Sequence, residues 1–189
     1  MGTSNIFMTV VHDLTALVLV GLPGAGKSSV GQIIAEQLGW TFVDLDRAIE
    51  AEAGLSVAEI FQRMGEKYFR GLEADLTNRL TSQHQVVFAP GGGWITNPAL
   101  VEMLPANTVM VWLKVQPQIA LERLRASGVA RPLLQVGDAL KRMQQLLDER
   151  SALYERADIS FDTDECDPQQ VAETIYKWLI KQKKNVSSS

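Results

Sequence analysis

Residues 21–28 read Gly-Leu-Pro-Gly-Ala-Gly-Lys-Ser, the G-x-x-x-x-G-K-S spacing of a loop that wraps phosphates. The N–H groups of Gly24, Ala25 and Gly26, with those opening a following helix, can surround a β-phosphate. Lys27 can reach the β- and γ-phosphoryl oxygens and the Ser28 hydroxyl can meet Mg²⁺, while Ser29 completes the helix start. A glycine-rich turn before a surface lysine has the same letters, but the chemistry also needs a strand before the loop and a helix after it. Both are legible: residues 15–20 are a β-branched and leucine run, and Val30, Ile33, Ile34 and Leu38 recur at helical spacing. Motif and context together argue for a nucleoside triphosphate as the ligand. No N-K-x-D segment of the guanine-binding type occurs among Asn5, Asn78, Asn97, Asn107 and Asn185, so ATP is the expected nucleotide.

Further along, three groups suit a second substrate. Asp44 and Asp46 flank Leu45 at the end of the second predicted strand, where an α/β crevice lies, and both face one side if the extended geometry persists. Asp44 is assigned to Mg²⁺ or its waters and Asp46 to a substrate hydroxyl and its proton. The alternative is that Asp46 caps the next helix and Asp44 is solvated. Gly91, Gly92 and Gly93 follow the apolar residues 86–89, so that a backbone can approach a ligand closely or take φ values closed to other residues; a plain turn is the competing reading. Arg70 and Glu73 stand i,i+3, so Glu73 can hold the guanidinium and leave part of its fork for a carboxylate; a surface ion pair is the alternative. Arg150 interrupts the stripe Leu140, Met143, Leu147, Tyr154, as it would beside a pocket whose anion compensates its charge, or where a long side chain snorkels.

The elements that must hold these residues in place follow the same pattern. Strand candidates at 15–20, 42–44, 86–89, 108–113 and 159–161 lack the alternation of a half-exposed sheet, which favours parallel strands covered on both faces. Phe69, Leu72, Leu76 and Leu80 form the apolar side of a helix over 66–81. Ser56 and Glu59 fit a capping box that opens a shorter helix ending at Gly65. Pro117 opens a helix over 117–127, Asp138 caps one reaching about Tyr154, and Pro168 starts the last, with Val171, Ile175, Trp178 and Leu179 on one face. The stretch 46–81 holds two helical segments and is long enough for a small substrate-covering region, while 125–137 has the glycines and little periodicity of a lid.

In combination these residues resemble the shikimate kinase family of nucleoside monophosphate kinase-like P-loop proteins. The likeness spans about residues 14–180: GLPGAGKSSVG at 21–31, FVDLD at 42–46, GLSVAEIF at 54–61, GEKYFRGLE at 65–73, APGGG at 89–93, RPLL at 131–134 and RSALY at 150–154. The resemblance implies a three-layer α/β/α fold around a five-stranded parallel sheet of order 2-3-1-4-5. It implies one kinase domain over 14–180 that uses ATP and Mg²⁺ to phosphorylate the 3-hydroxyl of shikimate, a step toward chorismate and the aromatic amino acids. Carried over, Asp46, Arg70, Gly91, Gly92, Gly93 and Arg150 bind shikimate. Arg131 is the lid arginine that meets the phosphates, and Arg125 neighbours the nucleotide base, with Arg123 the alternative and residues 164–168 near adenine. Lys27, Asp46 and Arg131 are the catalytic set, and Ser28 and Asp44 the metal set. Ser29 for threonine, Leu45 for Ser or Thr, Pro90 for a hydroxyl residue and Leu22-Pro23 for Met-Gly depart from the usual pattern without removing a catalytic side chain.

Composition limits the competing classes. The chain has 189 residues, a formal charge of −4 and 46% hydrophobic residues, as in an ordinary globular domain, with no sign of a surface made for nucleic acid or membrane. One cysteine, Cys166, fits a reducing compartment, and a cytoplasmic monomer is the expectation. Residues 1–13 and 181–189 are expected to be flexible ends. A kinase for gluconate or another polyol acid, or a nucleotide-binding module without turnover, are the alternatives.

Overall fold

A computed structural model of the chain describes residues 14–83, 85–127 and 138–186. Strands β1 (Ala16–Val20), β2 (Thr41–Asp44), β3 (Val86–Ala89), β4 (Thr108–Lys114) and β5 (Ile159–Asp162) form one parallel sheet in the order β2-β3-β1-β4-β5. This is the order implied by the resemblance. Parallel neighbours cannot be joined by tight hairpins, so helices make the crossovers. They are α1 (Lys27–Leu38), α2 (Leu45–Ala53), α3 (Val57–Met64), α4 (Glu66–Thr81), α5 (Pro98–Glu102), α6 (Pro117–Ala126), α7 (Ala139–Tyr154) and α8 (Pro168–Val186).

The sheet is buried on both faces, which is why its strands do not alternate. Along β1, Leu17 and Leu19 pack with Val30, Ile34, Leu121, Leu124, Met143 and Ile175 on one face. Ala16, Val18 and Val20 pack with Ile49, Ile60, Phe69, Leu76, Leu80 and Leu100 on the other. Helix α7 serves both layers, Met143 and Leu146 in the first and Tyr154 in the second. It thereby carries Arg150 past the end of the sheet. The segments that follow β1, β2, β3 and β5 bring the phosphate loop, Asp46, the triple glycine and residues 163–167 to the carboxyl ends of the strands, where open α/β sheets bind ligands.

Three local expectations are corrected. Between β2 and β3 there are three helices rather than two, because the chain turns helical at Leu45 and Asp44 caps that turn. Asp46 therefore sits in the first turn of α2 and not on an extended strand. On α7, Leu140 is exposed, and the inward stripe is Ala139, Met143, Leu146 and Tyr154. Residues 128–137, with Arg131 and most of the expected lid, lie outside the described residues. No helix among the described residues is long and apolar enough to cross a membrane.

Helix α3 starts as its sequence dictates: Ser56 Oγ accepts the N–H of Glu59 at 3.2 Å, and Glu59 Oε2 accepts the N–H of Ser56 at 3.0 Å. Ser56→Ala should lower the free energy of unfolding by about 1 kcal/mol. The check is a shift of the urea midpoint at constant m-value with ATP affinity unchanged.

Candidate active site

The phosphate loop is shaped by glycines that no other residue can replace at low cost. Gly21, Gly24 and Gly26 have φ of 144°, 85° and 90°, and a Cβ on Gly21 would lie 2.5 Å from the carbonyl oxygen of Leu113, while one on Gly24 would overlap that of Ala120. Gly26 is the N-cap of α1, whose first turn has no side-chain cap and no acidic residue. The first N–H groups of α1 are thus arranged for an external anion. Lys27 Nζ donates to Gly21 O at 2.9 Å and to Leu22 O at 3.0 Å, which holds the ammonium on the loop itself.

Ser28 Oγ donates to Asp44 Oδ2 at 2.6 Å, linking the start of α1 to the end of β2. A hydroxyl and a carboxylate this close are two hard oxygen donors that one Mg²⁺ can share, the rest of its shell coming from phosphate and water. This donor set fits Mg²⁺. Asp44 Oδ1 also accepts the N–H of Arg47 at 3.3 Å, so the capping role weighed for Asp46 belongs to Asp44.

The triple glycine is narrow for a different reason from the phosphate loop. None of Gly91, Gly92 and Gly93 has a positive φ, so the conformational reading does not apply and the close-approach reading does. A Cβ on Gly91 would lie 2.6 Å from Asp46 Oδ1, one on Gly92 3.1 Å from Arg150 Nη1, and one on Gly93 3.0 Å from Arg70 Nη2. Each glycine has one charged side chain lying against it. Arg150 Nη1 donates to Gly92 O at 2.8 Å, and Pro23 of the phosphate loop also borders Gly92, its Cδ 3.4 Å from the position a Cβ would take. The two loops are therefore in contact.

Each arginine is supported from beneath. Arg70 Nη1 donates to Glu73 Oε2 at 2.8 Å, and its Nε and Nη2 donate to Glu66 Oε1 at 3.3 and 3.1 Å; Arg70 is 30% exposed and Glu73 only 1%. Burial pushes the Glu73 carboxyl above the usual range; the bond to Arg70 opposes this, and the charges of Asp46 and Glu66 add to it. Below Arg150 lies Tyr154, stacked on Trp112 at 5.6 Å, with Lys114 Nζ 4.5 Å from the centroid of the Trp112 ring. Burial raises the Tyr154 phenol, and neighbouring Arg150 pulls it back.

A cleft of ≈ 520 Å³ between α1 and the start of α8 is lined by Ser29, Gln32, Ile33, Glu36, Asp167, Pro168 and Gln169. The loop beside it is anchored by Arg123, which donates to Thr163 Oγ1 and Asp164 O, both at 3.1 Å, and to Thr163 O. Arg125 is exposed at the end of α6, so Arg123 is the arginine brought to this loop. Sequence reasoning missed Thr77, Trp94, Trp112 and the underside role of Tyr154. The visible signal was a tryptophan directly after the triple glycine and two polar residues, Glu73 and Thr77, on the inward face of α4.

A family model described as shikimate kinase matches residues 23–180. A shikimate kinase of Synechococcus sp. (strain CC9605) is 41% identical over 164 residues, 87% of this chain and 82% of the relative. One from Thermodesulfovibrio yellowstonii is 38% identical over 161 residues, 85% of this chain and 92% of the relative. The solved shikimate kinase of Acinetobacter baumannii, in complex with shikimate, superimposes with a TM-score of 0.84 at 35% identity, covering 92% of this chain and 97% of that one. A gluconokinase from Sinorhizobium meliloti aligns with a TM-score of 0.61 at 20% identity, covering 92% of this chain and 95% of that one, a likeness of fold alone.

Because Asp46 leaves no room for a Cβ at position 91, Gly91→Ala should displace its carboxylate and lower acceptor-dependent turnover at least about tenfold, as misplacement by an ångström commonly does. ATP affinity, measured by equilibrium titration, should stay within about twofold. Near-normal turnover in the folded variant would show that Asp46 tolerates displacement.

Proposed function

The chain belongs to the shikimate kinase family, and we propose that it transfers the γ-phosphoryl group of ATP to the 3-hydroxyl of shikimate, giving shikimate 3-phosphate and ADP. The observation that carries this reading is the triple glycine with Asp46, Arg150 and Arg70 each lying against one of its residues, beside a phosphate loop. A substrate with one carboxylate and several hydroxyls matches two guanidiniums and one carboxylate. Arg70 and Arg150 take the substrate carboxylate with their planar donor forks, each already oriented by a bond within the chain. Gly91, Gly92 and Gly93 let the substrate ring lie close to the backbone.

Asp46 accepts a hydrogen bond from the 3-hydroxyl, aims its oxygen at the γ-phosphorus and takes its proton as the new P–O bond forms and the bond to the β-phosphate oxygen breaks. Gly24, Ala25 and Gly26 with the first turn of α1 hold the β-phosphate, and Ser29 extends that turn toward the base. Lys27 exchanges its two loop carbonyls for phosphoryl oxygens and offsets charge that grows toward the leaving ADP. When bound, Mg²⁺ neutralises charge on the β- and γ-phosphates, and Ser28 and Asp44 are the residues that hold it. The region 46–81 supplies the acceptor side of the site, and Arg131, outside the described residues, adds a further cation to the phosphates. Arg123 anchors the loop next to the cleft that Ser29 and Pro168 line, and Arg125, exposed at the end of α6, is the arginine left to neighbour the base.

Release of ADP on addition of shikimate, gluconate or no acceptor tests this reading. Shikimate should drive turnover at least about 100-fold above the acceptor-free rate, and Lys27→Ala should abolish at least about 99% of it, a loss of a few kcal/mol of transition-state stabilisation. Preference for gluconate, or ATP binding without acceptor-dependent ADP release, would overturn the assignment.

A further inference from the structure

We infer that Trp94 and Thr77, both outside the set of residues assigned to the acceptor, are positioning residues that fix the direction in which Arg70 presents its guanidinium. This inference rests on the assignment of Arg70 to the shikimate carboxylate. Both side chains are wholly buried, at 0% exposure. Trp94 Nε1 donates to Thr77 Oγ1 at 3.0 Å, and Thr77 Oγ1 donates to the carbonyl oxygen of Glu73 at 2.7 Å. The direction of this relay is forced: an indole can only donate, and the one hydroxyl proton of Thr77 is already committed to Glu73.

The contacts close into a ring. Thr77 holds the backbone of Glu73, whose carboxylate holds Arg70, whose Nη2 lies against Gly93, which is joined by its peptide bond to Trp94. Trp94 is fixed on two further sides: its backbone N–H donates to Gly91 O at 3.0 Å, and its ring meets Phe88 of β3 edge-on at 6.0 Å and 79°. One residue therefore sets the height of the glycine loop between the sheet and α4. With the place a Cβ would take on Gly93 only 3.0 Å from Arg70 Nη2, the guanidinium packs beside the loop backbone, and the height of the loop bounds the space it can occupy. An apolar pair of similar volume would fill this space without a buried polar bond, but without fixing one register between helix and loop.

The test is steady-state kinetics on the wild type, T77V, T77S, W94F and W94F/T77V, varying shikimate and ATP separately. T77V, which leaves the indole N–H buried without an acceptor, should raise the KM for shikimate about fivefold or more with kcat and the KM for ATP within about twofold, the pattern of lost binding common to ground and transition states. T77S, which restores the hydroxyl, should return the KM to within about twofold of wild type. The double variant should be no worse than T77V, since the bond can be lost only once. An unchanged shikimate KM in T77V, a T77S as impaired as T77V, or additive penalties in the double variant overturns the inference. If T77V does not fold, W94F decides it in the same way, a raised shikimate KM supporting the brace and an unchanged one overturning it. A wild type without shikimate-dependent ADP release removes the functional reading instead. A crystal structure of T77V with Gly93 and the Arg70 guanidinium in their wild-type positions overturns the brace whatever the acceptor is.

Discussion

Three charged side chains lie so near a backbone segment that a Cβ on any of its residues would crowd one of them, and the geometry of the site follows from that constraint. Asp46 comes from the first turn of α2, Arg70 from α4 and Arg150 from α7, three helices with no shared hydrogen-bond ladder. What gives them a common reference is the backbone at Gly91, Gly92 and Gly93, each glycine meeting one of them. Any side chain there would push one charge away from the others. The glycines are spent on proximity and not on unusual backbone angles.

The same segment ties the acceptor side to the phosphate side. Pro23 abuts Gly92, and Ser28 reaches Asp44 at 2.6 Å, so the phosphate loop touches the acceptor elements at two places. Phosphoryl transfer asks little covalent chemistry of the protein and much positioning, so two fixed points between donor and acceptor loops are what such a reaction uses. The arginines also require support: two guanidiniums near one loop repel one another unless anions are set among them. Glu73, 1% exposed, supplies one from inside the protein at the cost of burying a carboxylate. Its raised pKa records that cost, and Arg70 is the group that limits it.

Features set by a few neighbouring residues were legible in the sequence. The phosphate loop between β1 and α1, the capping box of Ser56 and Glu59, the bounds of β3 and α4, the cap of α7 and the start of α8 at Pro168 all follow from local patterns. Helix α2 was not, because its cap, Asp44, is also the last residue of a strand, and only the fold decides which role ends the strand. The apolar side of α4 was read from Phe69, Leu72, Leu76 and Leu80, and Glu73 was read as the partner of Arg70, but the burial of Glu73 and the place of Thr77 on the inward face passed unnoticed, since periodicity counts apolar residues. Whether Arg123 or Arg125 meets the loop after β5 depends on helix rotation, which motif spacing does not carry; the backbone carbonyls of Thr163 and Asp164 select Arg123.

The central claim is that Arg70 and Arg150 together read a carboxylate, and titration calorimetry tests it directly. Shikimate and its uncharged carboxamide are each bound to the wild type, to Arg70→Lys and to Arg150→Lys, with ATP binding verified for all three proteins. The account predicts that the amide weakens wild-type binding by at least about tenfold, or about 1.4 kcal/mol, and weakens each variant markedly less, because the fork that met the carboxylate is already lost. Equal penalties for the amide in all three folded proteins would contradict it.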